Sequence, residues 1–264
     1  MTTQANLNAV NELEAYFLRR NDIINRYGNM VSHYQALPGL IGLWYGGRYQ
    51  RSTGNLPNLA NVYGTTNKQD LAYNGNPTFN YLDNGIGYAA LDGTGDYFSV
   101  ADNTDLDILG TESFVSNPGL TMGGWFYLTD NTSEALISKF GSVGDFTYRL
   151  IVVGPSVFFQ VSTDGTNVVS ASNSVALNTW YYIWASFNPS TRMTMGVNGD
   201  INETTVGVPA SIFNGSAALC IGAGVNGTLN LLNGRFSVAF VCASYLTDAI
   251  GQSLFQQTRS LYGV

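Results

Sequence analysis

The segment NTWYYIWASFNPSTRMTMGVNGD, residues Asn178 to Asp200, determines how the fold is interpreted. Its apolar run is far shorter than the ~20 residues that a membrane-spanning helix needs. Side chains two residues apart share a face of a strand, and here both faces are apolar: Trp180, Tyr182 and Trp184 on one, and Tyr181, Ile183, Ala185 and Phe187 on the other. The segment is therefore predicted to be a strand covered on both faces.

The same segment also contains two turn signals. Asn188-Pro189 begins a turn, and Asn198-Gly199 is the pair that a two-residue type I′ hairpin prefers. Between them, Met193, Met195 and Val197 alternate with smaller residues, as in a strand. The segment thus predicts a β-meander in the middle of a sheet.

Further short strands are predicted on both sides of this meander. They are expected near 40–46, 87–91, 97–100, 120–128, 135–140, 146–153, 156–162, 217–222 and 234–244. Residues 48–84 are rich in Gly, Asn and Pro and are predicted to be irregular but ordered by their tyrosines. The C-terminal residues predict a short helix with Thr247 as its N-cap. The fold class is mainly β, a two-sheet antiparallel sandwich over residues 39–264.

Residues 1–38 differ from the rest of the chain because they predict a helix. Apolar residues recur at spacings of three and four in a heptad pattern that Pro38-Gly39 ends. Two alternatives remain open: the helix folds onto its own β domain, or it self-associates or docks on a partner. We expect an oligomerisation or anchoring segment, a trimer rather than a dimer, whose interface contains Val10, Leu13, Phe17, Ile24, Tyr27 and Val31.

Composition excludes some partners. Only 11% of the residues are charged, against roughly 25% in an ordinary domain, which suits a protein packed against neighbours or simply a neutral β surface. The net charge of −7 argues against nucleic-acid binding. The N-terminus lacks a secretory signal pattern, and no long apolar run predicts membrane insertion.

Candidate chemical motifs are weak. Gly222 to Gly227 fits GxGxxG, but the residues that follow look like a strand, so a turn is predicted. Five aspartates lie close together in the sequence: Asp92, Asp96, Asp102, Asp105 and Asp107. They are interpreted as turn-forming residues, with a Ca²⁺ site as the alternative. Cys220 and Cys242 are expected to be buried free thiols, with a disulfide as the alternative. No cofactor is predicted.

Catalysis is not expected. The glutamates are scattered through helix and turn regions, so no strand carries the carboxylate pair that glycoside hydrolysis needs. The single histidine, His33, lies in the N-terminal helix, which excludes a Ser-His-Asp site in the β domain.

Several segments, taken in order, resemble the laminin-G/concanavalin A-like jelly-roll family. They are LIGLWYG, YAALDGTGDYFSVADNTDLDI, LTMGGWFYL, the meander itself and LNGRFSVAFVCASYLTDAIGQSLF, which together span about 40–262. The resemblance implies two antiparallel sheets and a family that mostly binds glycans or proteins. The family's hydrolases carry an acidic pair where this chain has Ser237 and Val238, so the resemblance does not imply hydrolysis.

The sequence is consistent with three functions. The first is a non-enzymatic structural protein of a virion or similar assembly, located in the particle, in which the helix contacts other copies or assembly proteins. The second is a free-standing lectin-like protein, in which exposed tyrosines stack on surface glycans: Tyr49, Tyr63, Tyr73 and Tyr81. The remote alternative is a glycoside hydrolase.

Overall fold

The protein is described by a computed structural model over residue 22 and residues 25–47, 55–60 and 68–264. Residue 22 and residues 25–35 form the described part of helix α1, and α2 is Asp248–Thr258. The described strands are β1 Leu40–Tyr45, β2 Asn55–Leu56, β3 Leu71–Asn74, β4 Thr78–Tyr81, β5 Gly87–Asp92, β6 Tyr97–Val100, β7 Pro118–Leu128, β8 Glu134–Phe140, β9 Phe146–Val153, β10 Ser156–Ser162, β11 Val168–Ser174, β12 Trp180–Asn188, β13 Arg192–Val197, β14 Asp200–Thr204, β15 Leu219–Ile221 and β16 Asn233–Ser244.

These strands form two antiparallel sheets. The first sheet has the order β14-β13-β12-β7-β16-β5-β4, and β1 also pairs with β16. The second sheet has the order β11-β10-β9-β8-β15-β6-β3-β2. The sheets pack face to face, which confirms the predicted sandwich. Neither helix of the described residues has the length and apolar character needed to cross a membrane.

Strand β12 lies inside the first sheet, between β7 and β13. Its inward residues Ile183, Ala185 and Phe187 belong to the core between the two sheets, the inner core. Its outward residues are also buried, in a second apolar layer outside the first sheet, the outer core: Trp180, Tyr182 and Trp184. The prediction of a strand covered on both faces is therefore confirmed.

Both helices cover the outer face of the first sheet and complete the outer core. From α1 and the turn after it come Met30, Val31, Tyr34 and Leu37, and from α2 come Leu254 and Phe255. The indole Nε1 of Trp125 donates to Thr258 Oγ1 at 2.9 Å, which ties α2 to β7. Thr247 is the N-cap residue of α2, but its side chain makes no capping hydrogen bond.

The position of α1 shows what two of the predicted interface residues contact within the chain. Val31 is only 9% exposed within the outer core, and the Tyr27 ring contacts Tyr45 with centroids 4.7 Å apart. Both residues therefore pack on their own chain, because a short turn at Pro38-Gly39 is enough to reverse the helix onto the sheet. The other four predicted interface residues, Val10, Leu13, Phe17 and Ile24, lie outside the described residues.

Most predicted strands are found within one to three residues of their expected ends. Residues 48–84, predicted to be irregular, instead contain the short strands β2, β3 and β4 in their described parts. Strand β11 was not predicted because its sequence, VVSASNS, is largely polar and lacks a clear apolar face. Its pairing with β10 supplies the backbone hydrogen bonds that stabilise it.

Glu134 is an acidic residue in a strand of the second sheet and is only 2% exposed. Its Oε1 accepts a hydrogen bond from the Asn233 backbone N at 3.0 Å, while Oε2 is buried without a partner in the described structure. Burial, with a smaller contribution from the nearby charge of Asp130, raises the pKa of Glu134 to about 7. Its carboxylate form is therefore unfavourable in the folded protein.

We expect Glu134→Gln to stabilise the protein at pH 8. The raised pKa means that the folded state binds the proton more tightly than the unfolded state, so stability is lost as pH rises from about 4.5 through about 7. Glutamine removes that loss, worth up to about 3 kcal/mol, and keeps the acceptor for Asn233. Urea unfolding at pH 5 and pH 8 measures the change in the free energy of unfolding between the two pH values. The control Glu203→Gln removes an exposed carboxylate and should show the same change as the wild type. If Glu134→Gln also showed the wild-type change, the raised pKa of Glu134 would be contradicted.

A second prediction concerns α1. Tyr34 is fully buried in the outer core, so Tyr34→Ala should lower the free energy of unfolding by about 3–5 kcal/mol. Asn29→Ala, on the exposed side of the same helix, is the control and should change it by less than about 0.5 kcal/mol. Urea unfolding and native mass are measured for both variants. A Tyr34→Ala protein of unchanged stability but lower mass would show that α1 packs on another molecule instead.

Candidate functional site

The tyrosines predicted to bind glycans are not brought together in the described structure. Tyr81, on β4 of the first sheet, is 67% exposed, and Tyr73, on β3 of the second sheet, is 38% exposed. Tyr49 and Tyr63 lie outside the described residues. Because the two described side chains belong to different sheets, they do not form one row on a common face.

A different row of side chains does form on the outer face of the first sheet. Trp180 on β12 is directly opposite Tyr127 on β7, and Tyr127 is directly opposite Arg235 on β16. Arg235 is in turn opposite Ala90 on β5, which places Tyr88 one position along the same face. We call Tyr88, Tyr127, Trp180 and Arg235 the arginine–aromatic patch.

The guanidinium of Arg235 lies between two tyrosine rings. Its central carbon is 4.5 Å from the Tyr127 ring centroid and 5.1 Å from that of Tyr88, within the range of cation–π contacts. Trp180 meets both tyrosines edge-on, at centroid distances of 5.7 and 5.8 Å. Trp180 is only 6% exposed, whereas the two tyrosines and Arg235 are partly exposed. The patch is therefore a half-open aromatic surface with a buried indole behind it.

Arg235 makes no hydrogen bond or ion pair with the residues that the structure describes, although its aromatic contacts hold it in place. The other arginines on strands behave differently: Arg192 pairs with Glu203 and Asp248, and Arg149 donates to Gln160 Oε1 at 2.7 Å. The Asp92 carboxylate, at the end of β5, accepts hydrogen bonds from the Thr94 backbone N and hydroxyl. The Arg235 N–H groups thus have no acceptor in the described part of the chain.

Polar side chains border the patch at the edge of the sheet. Asn80 on β4 is opposite Tyr88, and Thr78 is opposite Ala90, so both share the outer face with the patch. Both are exposed, and Asn80 Nδ2 donates to Thr78 Oγ1 at 3.3 Å. An amide and a hydroxyl beside aromatic faces are the groups that bind sugar hydroxyls in proteins.

The carboxylates that were considered as an alternative Ca²⁺ site do not converge on one point in the described structure. Asp102 and Asp107 both contact the buried ammonium of Lys139, at 2.8 and 3.5 Å, and the Gly215 carbonyl accepts a further hydrogen bond from that ammonium. Asp96 accepts from the Asn76 backbone N, and Asp105 from Gln69. Within the described ranges, no three or more His, Cys, Asp or Glu residues are grouped for metal binding.

The single histidine lines a groove of about 500 Å³ between α1 and α2. Ser32, Ser253 and Gln257 also line it, and none of the described residues that line it carries a carboxylate. A nucleophile activated by His33 would thus lack the acidic residue that orients the base. At the position of the family's acidic pair, Ser237 donates to the Gly87 carbonyl and accepts from the Tyr262 hydroxyl, and Val238 is buried in the outer core.

The remaining motifs are structural. Residues 222–227 form a turn between the strands β15 and β16, which confirms the predicted turn. Cys220 and Cys242 are buried free thiols in different sheets, as expected, and burial raises the pKa of the Cys220 thiol to about 12. The arginine–aromatic patch was missed from the sequence because its residues come from four strands that are far apart along the chain.

Comparison with solved structures shows the same fold. The binding domain of botulinum neurotoxin DC, solved in complex with SialylT, has a TM-score of 0.59 at 13% identity, covering 84% of this chain and 52% of that one. The same domain in complex with rat synaptotagmin II has a TM-score of 0.59 at 12% identity, covering 84% of this chain and 52% of that one. The binding domain of Paraclostridial Mosquitocidal Protein 1 has a TM-score of 0.61 at 11% identity, covering 82% of this chain and 52% of that one. This chain therefore spans about half the length of these binding domains.

No curated protein gives a significant sequence match. The sequence model of the Concanavalin A-like lectin/glucanases superfamily matches residues 92–243, more than half of the chain. This stretch contains β6 to β15, most of β16, and Tyr127, Trp180 and Arg235 of the patch. With the two-sheet sandwich described above, the match shows that the chain belongs to the Concanavalin A-like lectin/glucanases superfamily.

Proposed function

We propose that the protein is a non-enzymatic glycan-binding module and that its sugar-binding surface is the arginine–aromatic patch. The observation that carries the proposal is the half-open row of Tyr127, Arg235 and Tyr88 on a rigid sheet. Aromatic faces stack on the C–H faces of sugar rings, and rigid aromatic side chains lose little entropy on binding.

The surroundings of the patch support sugar binding rather than chemistry. Asn80 and Thr78 offer amide and hydroxyl groups to sugar hydroxyls, while the acidic pair of the family's hydrolases is replaced by Ser237 and Val238. Membership of a lectin-like superfamily is consistent with binding, although a fold alone does not determine a ligand. The toxin domains supply further precedent for a receptor-binding role of this fold.

A glycan array probed with the purified chain, followed by titration of the best ligand, tests the proposal. Tyr88→Ala and Tyr127→Ala should each weaken binding about tenfold or more, because each removes an aromatic anchor. Tyr81→Ala is the matched control: the ring is on the next strand and more exposed, and affinity should stay within about twofold. Thermal unfolding confirms that the variants fold. If the chain bound no glycan, or if only Tyr81→Ala lost glycan affinity, the patch would be rejected as the sugar-binding surface.

A second candidate is a structural role in a virion or similar assembly, with the patch displayed outward. The observation that favours it is the low charged fraction of 11%, which lowers the cost of desolvating a surface against neighbouring subunits. The two roles are compatible, because an assembled protein can present a glycan-binding surface. Oligomerisation through the N-terminal segment, as a trimer, remains part of this proposal.

Native mass measured by light scattering on the full chain tests the assembly role. We expect a homo-oligomer, and Phe17→Asp with Ile24→Asp should lower its mass while circular dichroism keeps the β signature. The physical reason is that burying each such apolar side chain contributes roughly 1.5–3 kcal/mol, which a charged side chain removes. A wild-type chain that is monomeric at every concentration tested would contradict this role.

A further inference from the structure

Among the positively charged residues that the structure describes, Arg235 is bound in an unusual way. Each of the others has an oxygen partner within the chain: Asp22 for Arg26, Asp70 for Lys68, Asp102 for Lys139, Gln160 for Arg149, Glu203 for Arg192 and the Val264 carbonyl for Arg259. Arg235 has ring contacts only. Although the net charge of the protein is −7, this partly buried guanidinium has no anionic partner among the described residues.

The guanidinium is nevertheless fixed in position. Tyr127 and Tyr88 contact it from two neighbouring strands, and Trp180 supports both rings from the outer core. A side chain held this way has already lost most of its rotational freedom, so little entropy remains to be lost when a ligand binds. Aromatic rings on its flanks also exclude water and strengthen any charge interaction formed there.

The chemistry of this group selects an anion. A guanidinium presents its N–H donors in a planar fork that matches the two oxygens of a carboxylate. The tyrosine faces beside it match a sugar ring, and Asn80 and Thr78 lie on the next strand, opposite Tyr88 and Ala90. A sugar ring that carries a carboxylate satisfies all three features at once, whereas a neutral sugar leaves the guanidinium unpaired.

We infer that the arginine–aromatic patch binds acidic sugars, with Arg235 pairing the sugar carboxylate while Tyr88 and Tyr127 contact the ring. This inference rests on the proposed glycan-binding function and names its ligand class. Arg235 is the specificity-determining residue, because it is the group that distinguishes a carboxylate from the neutral hydroxymethyl group at the same position of the sugar.

Matched pairs of ligands test the inference. The probes are oligosaccharides that end in a hexuronic acid or a sialic acid, each paired with its carboxyl-reduced form, and a sulfated oligosaccharide of the same charge. Titration calorimetry with the wild-type chain should give at least about tenfold tighter binding for an acid than for its reduced form. The preference should weaken as salt rises, because a partly exposed ion pair is screened.

Three variants separate the possible causes. Arg235→Gln should reduce the acid preference, which is the ratio of the affinities for an acid and for its reduced form, to within about twofold. Arg235→Lys should keep part of the preference, since it retains the charge and loses the planar fork. Arg149→Gln is the control, because Arg149 also lies over an aromatic ring, 4.0 Å from Phe140, but on the second sheet, and it should behave as wild type.

The outcomes distinguish this inference from the proposed function. Equal binding of acid and reduced sugar by the wild type, with loss in Tyr127→Ala, would overturn the inference and leave the glycan-binding function standing. No binding of any sugar would overturn both. Tighter binding of the sulfated probe than of every carboxylate would overturn the carboxylate assignment, and an acid preference that survives Arg235→Gln would show that Arg235 only packs on the tyrosines.

Discussion

The structure depends on one constraint: β12 has large apolar side chains on both faces and must be buried on both. A sandwich alone covers one face of each sheet, so Trp180, Tyr182 and Trp184 need a second layer. Helices α1 and α2 supply it. Gly196 and Gly251 lie against Trp184 so closely that a Cβ at either position would collide with the indole, which shows how tightly this layer packs.

The candidate site lies where the layer formed by α1 and α2 on the outer face of the first sheet ends. Tyr262, just after α2, contacts Trp180 with ring centroids 5.2 Å apart, and it also hydrogen-bonds Ser237. Beyond it, the same face continues as Tyr127, Arg235 and Tyr88, which are only partly buried. Trp180 thus belongs to the outer core and also forms the back of the patch. The helices cover the outer face of the first sheet as far as Trp180, and the aromatic row beyond Trp180 stays partly exposed.

The sequence predicted features that depend on neighbours along the chain. The alternation in β12, the Asn198-Gly199 turn and most strand ends are local, so they were predictable. The patch was not, because Tyr88, Tyr127 and Arg235 become neighbours only through the pairing of β5, β7 and β16, strands separated by up to about 150 residues. The direction of α1 was left open for a similar reason, because an apolar stripe of this kind can pack equally well on a partner helix or on a sheet of its own chain.

The fold and the site carry different information about function. Domains at 11–13% identity share this architecture, which requires only the pattern of buried and exposed positions along each strand. Arg235 is outside that requirement, since a neutral side chain facing outward at this position of β16 would leave both cores intact. Each of the other described lysines and arginines, Arg149 and Arg259 aside, pairs with a carboxylate, whereas Arg235 contacts only the rings of Tyr127 and Tyr88. If the proposed function holds, the ligand class therefore depends on this residue rather than on the fold, because one fold serves many functions.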